Sequence, residues 1–173
     1  MAVGRVSVAD TTSGYRPPRI QQRATSEYDL AGPPGRYPDA MEPVTSLTPG
    51  LTAQVELTVT DADTAQAIGS GDVPVLGTPR VLALAEAATV AATASRLPTG
   101  ATTVGTRVEL EHTAPSPVGA RVVASVTLAK VDGRRLLFEV RVTSGDQPVA
   151  EGRIERALVD RQQFLAKAFG EPS

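Results

Sequence analysis

One stretch decides how this chain folds, and it is GTPRVLALAEAATVAATA at residues 77–94. Thr78 suits a helix N-cap, because its hydroxyl can accept from a free backbone N–H of the first turn. Pro79 suits the first helical position, where its fixed φ matches the helix. Ala and Leu, both strong helix formers, dominate the remainder of the stretch. The pattern predicts one helix to about residue 95, and since it is apolar nearly all round, we expect it to be buried.

Glu86 is the only acid in this helix. A carboxylate in apolar surroundings needs a partner or takes up a proton. Thr78 lies eight residues earlier, so the two side chains point in similar directions about 12 Å apart along the axis. They cannot touch within one helix, but both can face one cavity. The purely structural alternative for Glu86 is a subunit interface with an arginine partner.

Length and composition restrict the class of protein. A chain of 173 residues holds one domain with a core plus a tail. With a net charge of −2, the chain lacks the excess of basic residues that nucleic-acid binding requires. It has one histidine and no cysteine, which argues against a zinc site. No apolar run reaches the ~20 residues of a membrane span, and no signal-peptide pattern is visible. We therefore expect a cytoplasmic protein with no nucleic-acid or membrane partner.

Two regions of different composition divide the chain. Residues 1–49 carry half of its 14 prolines and show little periodicity. Such segments bury too little apolar area to offset chain entropy, so we expect a flexible tail over 1–49 and a folded domain over 50–169. The alternative is a tail that docks on a partner through its tyrosines, which are Tyr15, Tyr28 and Tyr37.

Strict alternation of apolar and polar residues predicts five strands around the helix. One strand precedes the helix, at residues 53–59, and four come after it, with a hairpin at Asp132-Gly133. Asp160 can cap a C-terminal helix that carries Phe164 and Phe169. The economical packing is an α+β hotdog fold, an antiparallel sheet wrapped around one long central helix. Such a layer leaves edge strands and apolar surface open, so a homodimer is expected.

Three side chains are candidates for chemistry, and each has a simpler interpretation. Thr78 can be only a cap, Glu86 only an interface residue, and His112 only the end of a strand. His112 nevertheless lies on the apolar, helix-facing side of its strand, just before the turn TAPSPVG at 113–119. An imidazole in that position can act as a general acid or base.

Three segments together resemble the hotdog-fold thioesterases of the fluoroacetyl-CoA thioesterase type. The first is Gly77-Thr78 followed by Glu86, and the second is Gly105 followed by EHTAPSPVG at 111–119. The third is the hairpin VDGRRL at 131–136. The likeness spans roughly residues 51–167 and leaves the tail uncovered.

The resemblance implies hydrolysis of a small or short acyl-CoA thioester, with Thr78, Glu86 and His112 as catalytic residues at a dimer interface. Glu86 would attack the carbonyl or direct water, His112 would move protons, and Thr78 would hold Glu86, the water or the substrate. Backbone N–H groups at Gly77 or Gly105 can polarise the thioester oxygen. No cofactor is implied beyond the CoA of the substrate.

Specificity is less well indicated than activity. Arg80, Arg134 and Arg135 are candidates for binding the CoA phosphates, with solvated surface charge as the alternative. In the family that this chain resembles, the fluoroacetyl-specific member has an aromatic gate near the loop before the helix. Residues 69–76 of this chain contain no aromatic side chain. This departure leaves the implied thioester hydrolysis intact and removes the support for fluoroacetyl specificity in particular.

Other functions fit the same fold. One is a non-catalytic module that binds an acyl thioester or a partner without turnover. Another is a hotdog enoyl-CoA hydratase, although no short hydratase segment surrounds His112. An interaction protein with an inert fold is the third. Thiol release from acyl-CoA distinguishes the thioesterase from all of them.

Overall fold

The computed structural model describes residues 6–7, 44 and 46–170. The strands are β1 (Val6–Ser7), β2 (Thr52–Thr58), β3 (Ala101–His112), β4 (Arg121–Asp132), β5 (Arg135–Ser144) and β6 (Gln147–Asp160). The helices are α1 (Thr78–Ala94) and α2 (Arg161–Phe169), with a 3-10 turn at Asp61–Asp63. Neither helix of the described part is long and apolar enough to cross a membrane.

The strands form one antiparallel sheet in the order β1-β2-β4-β5-β6-β3. The hairpin between β4 and β5 turns at Gly133, whose φ of 56° is in the left-handed region that favours glycine. This confirms the hairpin predicted from Asp132-Gly133. The sheet curves around α1, which packs chiefly on β2 and β4. The predicted hotdog arrangement is confirmed.

The alternation that predicted β2 is also the alternation of its burial. Ala53, Val55 and Leu57 face α1, and the residues between them face outward. Asp160 caps α2 as predicted, since its side chain accepts a hydrogen bond from Gln163 N at 2.8 Å. Local sequence therefore sets both the inward face of the sheet and the start of the second helix.

The expectation that α1 is buried all round is wrong for the single chain. One side of the helix, which includes Leu84, Ala85 and Ala88, is packed against the sheet. The opposite side is exposed and carries small apolar residues, which are Ala83, Ala87, Val90 and Ala94. An apolar helix with one open face is incompletely packed by its own sheet.

Most of the predicted tail lies outside the described residues, and so do its three tyrosines. Two described segments belong to the predicted tail. Val6–Ser7 pairs antiparallel with Val55 and Gln54 of β2. Leu47 is buried in the core beside α1 and the sheet. The division at residue 50 stays a prediction.

Candidate active site

Thr78 and His112 meet at the start of α1. Thr78 Oγ1 lies 2.9 Å from His112 Nδ1, across a sequence separation of 34 residues. The contact forms because β3 ends at His112 beside the first turn of the helix. A hydrogen bond joins the hydroxyl and the imidazole, and which of the two donates depends on the tautomer of the ring. The Nε2 atom of the ring is buried and has no hydrogen-bond partner among the described residues.

The prediction that Thr78 caps the helix is wrong. The N-cap is Gly77, in an extended conformation, and Thr78 is the first helical residue. Pro79 takes the second position, where its missing N–H is still a first-turn group without a helical acceptor. Arg80 N and Val81 N both donate to Gly77 O. The Thr78 hydroxyl therefore does not cap the N-terminus of α1 and contacts His112 instead.

Gly77 itself is needed for close packing. Its N–H donates to Asp63 O at 3.0 Å, which ties the helix start to the 3-10 turn. A Cβ at this position would overlap the Ile68 side chain closely and lie 3.1 Å from both Ala65 Cα and Ser70 Oγ. Residues 65–70 can therefore fold directly against the helix start only because this residue is glycine.

A cavity of about 360 Å³ opens beside the Thr78–His112 contact. Its lining comes from two segments, one within residues 65–78 and the other His112–Pro115. Thr78 and His112 both line it, as does Gly77. The predicted hydroxyl and imidazole thus reach one concave space, which is the usual form of a small-molecule site.

Glu86 occupies a different environment in the same chain. Its Oε1 atom lies directly over Gly105 of β3, where a Cβ would overlap it. The same oxygen accepts a hydrogen bond from Arg156 Nη1 at 3.4 Å. Glu86 does not line the cavity beside Thr78, and 38% of its side chain is exposed. The carboxylate is therefore held over the edge strand with one side open.

Arg156 is the residue that sequence reasoning missed. It lies on β6, opposite Gly105, and only 6% of its surface is exposed. Its Nε donates to Thr103 Oγ1 at 2.9 Å and its Nη2 donates to Thr103 O at 2.7 Å. Burial lowers the pKa of the Arg156 guanidinium, and the Glu86 carboxylate partly offsets this. The arginine that contacts Glu86 therefore belongs to the same chain, whereas the structural alternative for Glu86 placed such a partner at a subunit interface.

A β-bulge lies at this point of the edge strand. The register of β3 on β6 shifts between Gly105 and Arg107, so Thr106 is the extra residue. Bulges of this kind bend a strand and are frequent beside active sites. From Gly105 to Glu109 every residue of β3 is exposed, and in the described sheet β3 pairs with β6 alone. The carboxylate of Glu86 therefore lies at an open sheet edge.

Arg80, a candidate for binding CoA phosphate, is paired within the chain. Its Nε lies 2.6 Å from Asp63 Oδ1, and Asp63 also accepts from Thr60 N and Thr60 Oγ1 through Oδ2. Burial raises the pKa of Asp63, but the hydrogen bonds from Thr60 and Arg80 outweigh it and hold this pKa below its ordinary value. Arg80 thus braces the helix start against the preceding turn.

Arg134 and Arg135 lie in the hairpin between β4 and β5, and both are half-buried. Neither lines the cavity beside Thr78. Their assignment to CoA phosphates stays a prediction. No cluster of three or more His, Asp or Glu side chains in the described part of the chain is arranged to hold a metal ion.

Comparison with known proteins identifies the family of this chain. Residues 59–162 match a family model described as fluoroacetyl-CoA-specific thioesterase. The chain belongs to this family. A fluoroacetyl-CoA thioesterase from Streptantibioticus cattleyicolor is 36% identical over 93 residues, which cover 54% of this chain and 67% of that protein. The resemblance inferred from the three sequence segments is confirmed.

Solved structures that are similar to this chain share the fold. A variant of fluoroacetyl-CoA thioesterase in complex with acetyl-CoA is 27% identical to this chain, with a TM-score of 0.69. The match covers 73% of this chain and 100% of that one. A thioesterase superfamily member from Thermus thermophilus is 25% identical, with a TM-score of 0.66, over 74% of this chain and 93% of that one. The hotdog fold is thus shown independently of the site.

Proposed function

We propose that this chain is an acyl-CoA thioesterase whose active site is completed across a homodimer. Thr78 and His112 of one subunit would face Glu86 of the partner subunit, and the thioester would lie between them. The observation that carries this proposal is the 2.9 Å contact between Thr78 Oγ1 and His112 Nδ1 in the wall of a cavity. Membership of a thioesterase family supports the same activity.

The proposed chemistry is the addition of water to a thioester. The Glu86 carboxylate, held by Arg156, either takes a proton from a water molecule as the water oxygen adds to the carbonyl carbon, or attacks that carbon itself to form a mixed anhydride that water later hydrolyses. The C–S bond then breaks, and His112 delivers a proton to the departing CoA thiolate. A carboxylic acid and free CoA are the products. Since water is the only co-reactant, we infer that no cofactor is needed beyond the CoA carried by the substrate.

Backbone donors at the helix start are suited to the developing oxyanion. The first N–H groups of α1 have no helical acceptor, and the N-terminal end of a helix carries partial positive charge. Thr78 lies in this first turn and lines the cavity. A thioester oxygen placed there would be stabilised as negative charge builds on it.

The edge strand β3 supports the dimer. Two copies of β3 can pair antiparallel along their exposed segments, Gly105–Glu109. Pairing centred near Val108 would bring the Gly105 end of one strand beside the His112 end of the other. α1 also contacts this edge strand, and the second subunit would cover the open face of the helix, with Ala83, Ala87 and Val90.

The test is thiol release from acyl-CoA substrates, followed with a thiol-trapping dye. Glu86→Gln and His112→Ala should each abolish release while the elution volume of the dimer is unchanged. Turnover that survives Glu86→Gln would remove this carboxylate from the mechanism. Loss of enoyl absorbance without thiol release would indicate a hydratase instead. No reaction with any acyl-CoA would leave a binding module.

A further inference from the structure

The edge strand β3 carries charged side chains at alternate positions. Arg107, Glu109 and Glu111 are all exposed. Leu110, which lies between the last two, packs against the core, so the charged side chains point to the outer face of the sheet. Arg107 Nη2 donates to Glu109 Oε1 at 2.7 Å. The open edge therefore presents a cation and an anion two residues apart on one face.

The same alternation of sign runs across the neighbouring strands. On β6, Glu155 lies opposite Arg107 and Arg153 lies opposite Glu109. On β5, Glu139 lies opposite Arg153. Opposite charges on directly paired residues stabilise antiparallel strands, and like charges destabilise them. In the described sheet, two such rows end at β3, one of them with the cation of Arg107 and the other with the anion of Glu109.

A second copy of β3 continues both rows when a two-fold axis passes through Val108. Arg107 of each copy then lies opposite Glu109 of the other, so the alternation of sign crosses the interface without a break. An axis through Arg107 would oppose two arginines, and an axis through Glu109 would oppose two glutamates. An axis between two residues would oppose side chains of different faces and put the two α1 helices on opposite sides of the sheet. The charges of this strand therefore favour one register.

This register also sets the distance between the proposed catalytic groups. With the axis at Val108, His112 of the second copy lies opposite Val104. The next residue, Gly105, is the one over which the Glu86 carboxylate lies. Neighbouring strands are about 5 Å apart, so the carboxylate and the imidazole of the second copy come to the same end of the interface. Moving the axis by one residue shifts the second strand by two residues, or about 7 Å, which would separate them.

We propose that reciprocal ion pairs between Arg107 of one subunit and Glu109 of the other, on both sides of a two-fold axis at Val108, fix the register of the dimer. The partner is a second copy of this chain, and the inference rests on the proposed shared active site. Exposed ion pairs add little to affinity, which comes from the backbone hydrogen bonds of β3 and the covered face of α1. Their effect is to exclude the registers that oppose like charges.

Cross-linking through a single cysteine tests the register directly, because the full-length chain contains no cysteine. Directly opposite residues of antiparallel strands have Cα atoms about 4.5–5.5 Å apart, which a disulfide can span. Val108→Cys, oxidised with diamide, should therefore run mostly as a linked dimer on a non-reducing gel. Thr106→Cys is the matched control, since Thr106 is exposed but would lie four positions, or about 13 Å, from its own copy. No linking through Val108→Cys, or equal linking through Thr106→Cys, would overturn the register.

Charge complementation tests the ion pairs themselves. Arg107→Glu and Glu109→Arg homodimers each oppose like charges at two places, whereas the mixed dimer restores both ion pairs. If each exchange of an ion pair for a like-charge pair weakens pairing about fivefold, more than about nine-tenths of the dimers should be mixed after subunit exchange, against one half by chance. Native mass spectrometry measures this fraction.

The control pair is Glu139→Arg and Arg141→Glu on β5. These residues are also exposed and two positions apart, but they lie two strands away from the edge. Their mixed dimers should stay near one half, and the same value for the Arg107 and Glu109 variants would overturn the role of the ion pairs. Failure of the enzyme function is seen separately: dimers that link through Val108→Cys, with no thiol release by the wild type from any acyl-CoA, would keep the register and refute the thioesterase.

Discussion

Gly105→Ala separates the position of the Glu86 carboxylate from the stability of the fold. The added methyl group would overlap Glu86 Oε1, while Glu86 Cδ would lie 3.6 Å and Arg156 Nη1 3.8 Å from it. The overlapping atom is the end of a flexible side chain, so the carboxylate can move without disturbing the sheet. The displacement needed is roughly 0.5–1 Å, and a misplacement of about 1 Å can lower a rate about 10²-fold.

The expected result is a fall of about 10²-fold in kcat, which corresponds to a rise of about 2.7 kcal/mol in the activation free energy. The melting temperature should be unchanged or slightly higher, because alanine loses less conformational entropy than glycine on folding. Stopped-flow or continuous thiol release measures kcat, and circular dichroism measures the melting temperature.

Gly152→Ala is the contrasting control on β6. There an added Cβ would overlap the backbone oxygen of Glu109 and lie 2.8 Å from Leu110 Cα, so the backbone itself must shift. This variant should lose stability rather than turnover alone. A Gly105→Ala enzyme that keeps kcat within twofold of wild type would refute the placement of the Glu86 carboxylate as a determinant of catalysis.

Two further substitutions test the groups that brace the site. Arg156→Lys keeps the charge but loses the forked hydrogen bonds to Thr103, so kcat should fall at least tenfold and the melting temperature by several degrees; an unchanged kcat would show that a point charge suffices. Asp63→Asn removes a carboxylate whose pKa is held below its ordinary value of 3.8 through Arg80 and Thr60. The ionised carboxylate stabilises the fold above about pH 4, and this contribution is lost as pH falls through the lowered pKa. The variant should therefore be less stable at neutral pH and lose less stability below pH 4, and parallel melting curves from pH 7 to 3 would contradict that role.

The fold could be predicted because its signals are local. The alternation in β2, the glycine at the β4–β5 turn and the Asp160 cap each depend on a few neighbouring residues, and each was confirmed. The N-terminus of α1 was predicted less well, because the observed N-cap is Gly77 and the predicted one was Thr78. Thr78 has the side chain of a cap, but its hydroxyl contacts His112, which lies 34 residues away and cannot be seen in the local pattern.

The site could be predicted only in part. Thr78, Glu86 and His112 were identified as chemical types, but the sequence alone could not show that two of them meet while the third lies over Gly105. A signal for Arg156 was present. It stands between Ile154 and Leu158 at inward positions of β6, where a charged residue in an apolar alternation indicates a buried partner. That partner, Glu86, is 70 residues away in sequence.

Complementation in mixed dimers tests most directly whether the site is shared between subunits. Glu86→Gln and His112→Ala chains, each inactive alone, are co-expressed with different tags and the mixed dimer is purified through both. If Glu86 of one subunit serves Thr78 and His112 of the other, each mixed dimer contains one intact site and should show about half of the wild-type thiol release. Mixed dimers as inactive as their parents would contradict the shared site and place all three groups in one chain.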